Sequence, residues 1–295
     1  MIASAPGKVI IFGEHSVVYG KHAVVSSIGW RCYVNVEKSG DFLIISEFGR
    51  TKLDFFGKHS YISYAVKRFS EIKKIRGAKI TVKSEIPPDS GLGSSAAVTV
   101  ATLSALNAEF EAGLSKEDVF SLARSVEIDV QGIASGVDSF VSTYGGSWII
   151  PERRRFKTNL EFGLVNSGEK SVTSEMVRRV ADLKKEHPDI VNPILDAMDS
   201  IAVKGAKCLE RNDLKEVKKL FRINQSLLRA LGVSTPKIDG IIADIEEKGF
   251  AAKITGAGGG GYILTTGYGD RISIGGEGVR IEDTEDWRIS DNGQG

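Results

Sequence analysis

The residues best placed to do chemistry lie in Pro87-Pro88-Asp89-Ser90-Gly91-Leu92-Gly93-Ser94-Ser95-Ala96-Ala97. Two glycines and two serines stand where an extended segment turns into a helix. Glycine lets a backbone approach a ligand and take positive φ. A helix N-terminus offers unpaired N–H groups and a partial positive charge. Together these form a phosphate cradle, in which the hydroxyls of Ser94 and Ser95 can reach a phosphate or a magnesium ion. A tight turn before a buried helix is the plainer alternative.

Three further segments carry candidate groups. Pro6–Gly20 brackets an apolar strand with Lys8 on one side and Glu14-His15 on the other. In the segment Glu127–Asp138 the two end carboxylates, Glu127 and Asp138, could serve as metal ligand and base; taken alone, each is a solvated acid or a cap. Lys253–Gly261 contains Gly256, Gly258 and Gly261 in a G-x-G-x-x-G spacing. A dinucleotide turn must open a helix, but Tyr262-Ile263-Leu264 reads as a strand. Four consecutive glycines are costly to order, which favours a loop that admits another backbone or a ligand. The Walker A pattern is absent, as are the HRD and DFG signatures of protein kinases. Gly91–Ala96 also fits G-x-G-x-x-A of a nicotinamide-dependent oxidoreductase, with Glu111 downstream, but Pro87-Pro88 spoils the strand-to-turn geometry that reading needs.

The elements that must position these groups follow from hydrophobic period. Strands are expected at Val9–Phe12, His22–Ile28, Arg31–Glu37, Phe42–Glu47 and Lys79–Glu85. Helices are expected from Ser60 to about Arg76, from Ser94 to about Phe110, and from a capping box at Ser115 to about Val130. Phe140–Ile150 is read as a strand around Gly145-Gly146, so that Asp138 leads into a strand. Arg153-Arg154-Arg155 reads as a solvated turn. The second half has a strand at Leu160–Asn166, then long helices at about Ser174–Glu186, Asp189–Arg211 and Asp213–Leu231. A helix capped by Thr235-Pro236 and strands at Phe250–Thr255, Tyr262–Thr266 and Val279–Glu282 complete it. The change of texture divides the chain into residues 1–165 and 166–283, with a polar tail over 284–295 expected to be disordered.

Composition excludes several classes. The 295 residues are 41% hydrophobic and 26% charged with net charge +1, which leaves no basic footprint for nucleic acid or a membrane surface. Cys32 and Cys208 have no clustered ligand partners; they could form one disulfide, but read better as two reduced thiols. Met1–Pro6 lacks the features of a signal peptide and no apolar run spans a bilayer, so a cytoplasmic protein is expected.

In order and spacing, Pro6–Gly20, Pro87–Ala97 and Lys253–Gly261 resemble the three motifs of the GHMP family of small-molecule kinases, over nearly the whole chain. The stretch Gly7–Gly20 is similar to members whose acceptor is mevalonate. The resemblance implies an α+β fold of two domains: an N-terminal one like domain 2 of ribosomal protein S5, and a C-terminal ferredoxin-like α/β sandwich. It implies transfer of a phosphoryl group from ATP to mevalonate, with Mg²⁺ and no nucleic acid or membrane partner. Homodimers are common in the family. Residue by residue, it implies that Pro87, Gly91, Leu92, Gly93, Ser94, Ser95 and Ala96 wrap the phosphates, with Gly256 and Gly258 closing beneath them. Ser95 and Glu127 would hold magnesium, near Thr173. Asp138 would be the catalytic aspartate, touched by Lys8. Glu14, His15 and Tyr144 would line the acceptor pocket, with Thr143, Gly145 and Gly146 alongside. Gln131 and Ala134 depart from the family's His and Pro and bear on acceptor specificity. A kinase acting on phosphomevalonate or a sugar is the alternative; a phosphorylated acceptor would need cations such as Arg153–Arg155.

Overall fold

An unbroken run of buried residues opens the chain as strand β1 (Ile2–Phe12). The computed structural model describes residues 1–132, 135–283 and 287. β1 pairs antiparallel with β2 (Ala23–Lys38) along most of its length. β2 is one long strand where the sequence suggested two. Its first half is held by β6 (Ser147–Ile150) and its second half by β5 (Ala78–Ser84), so a partner flanks it throughout. β3 (Leu43–Ser46) and β4 (Gly49–Thr51) extend the far edge, and β7 (Arg154–Phe156) pairs with β6. Packed with this sheet are α1 (Ser60–Ile72), α2 (Ser94–Phe110), α3 (Lys116–Gln131) and α4 (Val137–Tyr144). α2 is apolar on all sides, as a helix enclosed by protein must be; Val100, Ala101, Leu103 and Leu106 are fully buried.

The second sheet is antiparallel, in the order β11 (Asp270–Ile272), β8 (Phe162–Asn166), β10 (Tyr262–Thr265), β9 (Ala252–Ile254). With it pack α5 (Thr173–Glu186), α6 (Pro188–Glu210), α7 (Leu214–Ala230) and α8 (Pro236–Glu247) around a core that includes Leu195, Met198, Leu228 and Ile242. The fold is therefore α+β with two sheets. A single cut at residue 165 does not follow those sheets. β8 already belongs to the second one, and β12 (Arg280–Glu282) returns to pair with β1. That return is pinned by buried Arg31, which donates to the carbonyl oxygens of Glu277 and Gly278 at 3.1 and 2.7 Å.

The largest correction concerns the expected strand Phe140–Ile150: its residues 140–144 lie in α4, which begins at Val137, and only Ser147–Ile150 is strand. Val137, Phe140, Val141 and Tyr144 recur at helical spacing. Gly136 at φ 74° starts the helix, and Gly145 and Gly146, at φ 61° and 80°, end it before β6. Both cysteines are free and buried. No helix among the described residues is long and apolar enough to cross a membrane. Apart from Trp287, the segment 284–295 lies outside the described residues.

Candidate active site

Lys8 sits where β1 departs from regular pairing, because the register with β2 shifts between Pro6 and Lys8. Such a bulge re-aims a side chain. Gly7 permits it: a Cβ there would lie 2.8 Å from the carbonyl oxygen of Leu92, and the Lys8 amide donates to that same oxygen at 2.8 Å. Strand and phosphate-loop candidate are thus in backbone contact. The Lys8 side chain, only 4% exposed, reaches Asp138 Oδ2 at 3.3 Å and donates to the Gly91 carbonyl oxygen at 3.2 Å.

Residues 87–93 run from the end of β5 into α2. Pro87 is half-buried at the outer end; Leu92 is fully buried and anchors the loop. Gly91 and Gly93 both take φ 77°, and a Cβ on Gly93 would meet Lys8 Cγ at 2.9 Å. Gly93 caps α2 with no side-chain hydrogen bond to the first turn. The amides of Ser94, Ser95 and Ala96 therefore face outward from the helix end without intrahelical partners. Tyr61 on α1, absent from the residues the sequence singled out, interacts through its hydroxyl with Ser95 and with Gln131. A lone tyrosine in a helical pattern carries no signal for this.

Asp138 occupies the first turn of α4, where an acid is favoured by the helix dipole, and its side chain is 34% exposed. Glu127, on α3, is nearly buried and accepts from Ser139 Oγ at 2.7 Å. Burial, reinforced by the neighbouring charge of Asp138, pushes the Glu127 carboxyl up to about 7; Ser139 and Lys8 oppose the rise. Ser139 was also missed by sequence reasoning.

The glycine-rich segment Gly256–Gly261 closes on this group from the second sheet. Gly256, at φ 88°, leaves room for only a hydrogen beside the Gly91 carbonyl oxygen, which a Cβ would approach to 2.9 Å. Gly258 abuts the Val233 carbonyl oxygen, and its own carbonyl accepts from Ser171 Oγ at 2.7 Å. Gly258 thus packs on the second domain's backbone while Gly256 meets the phosphate loop. His15, held in the left-handed region at φ 58°, donates from Nε2 to the Ala257 carbonyl oxygen at 2.8 Å. Burial lowers its pKa, keeping the imidazole neutral.

Several expected acceptor residues lie elsewhere. Glu14 is fully buried and ion-paired with Lys253, its other oxygen accepting from Asn224, so its carboxylate has no free face for a substrate. The Tyr144 hydroxyl bonds Glu117, and its ring packs on Phe140; a helix carries it away from Asp138. Thr143 is buried and back-bonds to Ser139, while Gly145 and Gly146 meet Gly276–Gly278. Thr173 is exposed at the start of α5, with no hydrogen bond to the Lys8–Asp138–Glu127 group among the described residues. Arg153 stacks over Phe140, Arg155 over Trp148, and Arg154 pairs with Glu210, so the three cations are already engaged. Ala134 lies outside the described residues.

The geometry brings together an open helix N-terminus, a buried lysine beside a half-exposed aspartate, and a buried carboxyl. Comparison with known proteins agrees in kind. Residues 60–146 match the GHMP kinases N terminal domain and residues 206–272 the GHMP kinases C terminal domain. The chain is 53% identical to a mevalonate kinase of Archaeoglobus fulgidus over 96% of its own length and all of that protein. It is 38% identical to a mevalonate kinase of Pyrococcus horikoshii, covering 90% of this chain and 89% of the other. Its fold superposes on the crystal structure of the Methanococcus jannaschii mevalonate kinase with a TM-score of 0.79 at 28% identity, covering 96% and 98% of the two chains. The nicotinamide reading falls: no strand runs into Gly91, because β5 ends at Ser84.

Proposed function

The chain belongs to the GHMP kinases, and from that premise we propose that it transfers the terminal phosphoryl group of ATP to the 5-hydroxyl of mevalonate, giving 5-phosphomevalonate and ADP. The observation that carries this reading is the Lys8–Asp138 pair, 3.3 Å apart, beside the uncapped N-terminus of α2. Transfer of a phosphoryl group has a loose transition state, so catalysis is mostly positioning and charge stabilisation. The amides of Ser94, Ser95 and Ala96 would hold the phosphates in line. Asp138 accepts the hydroxyl proton or orients the hydroxyl, and Lys8 stabilises the negative charge that develops. His15, neutral and at the turn, would border the acceptor.

Among the described residues no cluster of three or more acids, histidines or cysteines could hold a metal alone. The donors present still fit Mg²⁺, which binds through one or two carboxylates and substrate phosphates and keeps its waters. Ser95 and Glu127 supply hard oxygen donors, and Glu127 is a buried carboxyl whose hydrogen bond from Ser139 Oγ leaves acceptor capacity to spare. When bound, Mg²⁺ supplies neutralisation of phosphate charge. A cavity of about 270 Å³ is bordered by Phe55, Phe56, Ser60, Tyr64, Asp129 and Val130, of which Ser60 and Val130 adjoin Tyr61 and Gln131 in sequence. Its aromatic rim suits the nucleobase end of ATP.

ADP release with magnesium-ATP, measured on mevalonate, phosphomevalonate, galactose and homoserine, tests the proposal. Turnover on mevalonate alone is expected. Turnover on phosphomevalonate or galactose instead would keep the phosphate chemistry and overturn the acceptor. The engaged state of Arg153–Arg155 argues against a phosphorylated acceptor.

A further inference from the structure

Lys253 is a cation with no exposed surface, buried between the two sheets. Its ammonium donates to Glu14, to the Ile254 carbonyl oxygen at 2.6 Å and to the Ile10 carbonyl oxygen at 3.4 Å. It also lies 5.5 Å from the centre of the Phe221 ring. The second oxygen of Glu14 accepts from Asn224 Nδ2 at 3.1 Å. Sealing two charges from water costs about as much as their attraction returns, so such a pair is a weak source of net stability. What it does supply is direction, since each partner must meet the other's donors and acceptors at fixed angles.

The pair joins segments that the site needs in register. Ile10 lies two residues beyond Lys8 on β1, and Glu14 immediately precedes His15. Lys253 immediately precedes Ile254-Thr255-Gly256, the segment that meets Gly91. A second tie runs parallel: the Ile10 amide donates to Thr255 Oγ1 at 2.9 Å, and that hydroxyl donates to the Ile10 carbonyl oxygen at 3.1 Å. A third is His15 to the Ala257 carbonyl oxygen. All three link the strand and turn that present Lys8 to the loop that closes on the phosphate cradle.

We infer that Lys253 is a positioning residue: with Glu14 and Asn224 it fixes the Gly256–Gly261 loop against the strand carrying Lys8, and so sets the geometry of nucleotide binding. This rests on the phosphotransferase reading. A purely structural pair would affect only folding, and the two roles separate in a double variant.

Glu14→Gln/Lys253→Met removes both charges together, a replacement that is often neutral or stabilising. Its urea midpoint is expected near that of the wild type, while kcat/KM for magnesium-ATP falls by about 10²-fold, the cost of roughly 1 Å of misplacement. Affinity for a non-hydrolysable ATP analogue, titrated directly, is expected to fall with it. Wild-type ATP affinity and kcat/KM in the folded double variant overturn the inference. Should that variant not fold, Asn224→Leu keeps both charges and frees one oxygen of Glu14; a rise in the analogue's Kd is expected, and an unchanged Kd overturns the inference. Failure of the wild type itself to phosphorylate mevalonate counts against the acceptor proposal, and the analogue titration still scores Lys253.

Discussion

Two lysine–carboxylate pairs lie near the same strand, and they differ in almost everything but residue type. Lys8 meets Asp138 at 3.3 Å, with the aspartate side chain 34% exposed and the helix N-terminus of α2 open beside it. Lys253 meets Glu14 with both side chains at 0% exposure and every direction occupied by carbonyls, an amide or a ring. The first pair has a free face on which a reacting hydroxyl and a phosphate can be placed. The second has none, and its charges are used up in holding backbone segments. Access, not the identity of the charged groups, separates a pair that can do chemistry from one that positions it.

Breaking each pair from the lysine side sharpens this contrast most. Lys253→Met alone leaves Glu14 buried without its partner, and is expected to lower the unfolding free energy by about 3–5 kcal/mol. Lys8→Met leaves an aspartate that can turn to water, and is expected to cost no more than about 1 kcal/mol while removing most activity. Equal losses in urea titrations would erase the distinction.

Glu127 provides the next test. Its carboxyl titrates near 7 in the folded protein against an ordinary 4.5. Between those values the folded chain holds a proton that the unfolded chain has released. Without magnesium and nucleotide, stability should therefore fall as pH rises from about 4.5 to 7, by roughly 3 kcal/mol. Glu127→Gln should lose that slope. Loading with magnesium-ATP should release a proton from Glu127, visible as buffer-dependent heat in calorimetry near pH 7. A slope that survives in Glu127→Gln would assign the proton elsewhere.

Smaller effects remain. Ser95→Ala should shift the magnesium dependence of turnover by about 10-fold, and an unmoved titration would remove that hydroxyl from the cation site. Tyr144→Phe loses only an exposed bond to Glu117. It should change stability by no more than about 0.5 kcal/mol and leave turnover as it was; a marked rise in the KM for mevalonate would return Tyr144 to the pocket.

Local signals in the chain were legible. The bounds of α2 follow from its glycines and apolar run, and the Ser115–Asp118 capping box stands as written in the sequence. Lys8, Asp138, Glu127 and the glycine loops lie near one another, an arrangement that the family resemblance implied and that no one of these segments announced by itself. What the sequence hid was set by long-range packing. The pairing of Glu14 with Lys253 spans 239 residues, so no local pattern distinguishes a buried Glu14 from one facing a substrate. α4 was obscured because Val137, Phe140 and Val141 suit a strand as well as a helix, and tertiary burial decided between them. β12 is too short to announce that it returns to β1, a pairing held by Arg31 across the fold. Tyr61 and Ser139 reach Ser95 and Glu127 only once α1, α3 and α4 are packed.

The most direct test of the account is ADP release from magnesium-ATP and mevalonate by the wild type and by Asp138→Asn, measured side by side. The account predicts turnover by the wild type and a fall in kcat of at least about 10²-fold in the variant, measured at a urea concentration and temperature where the variant is still fully folded. Near-normal turnover in a folded Asp138→Asn enzyme would contradict it.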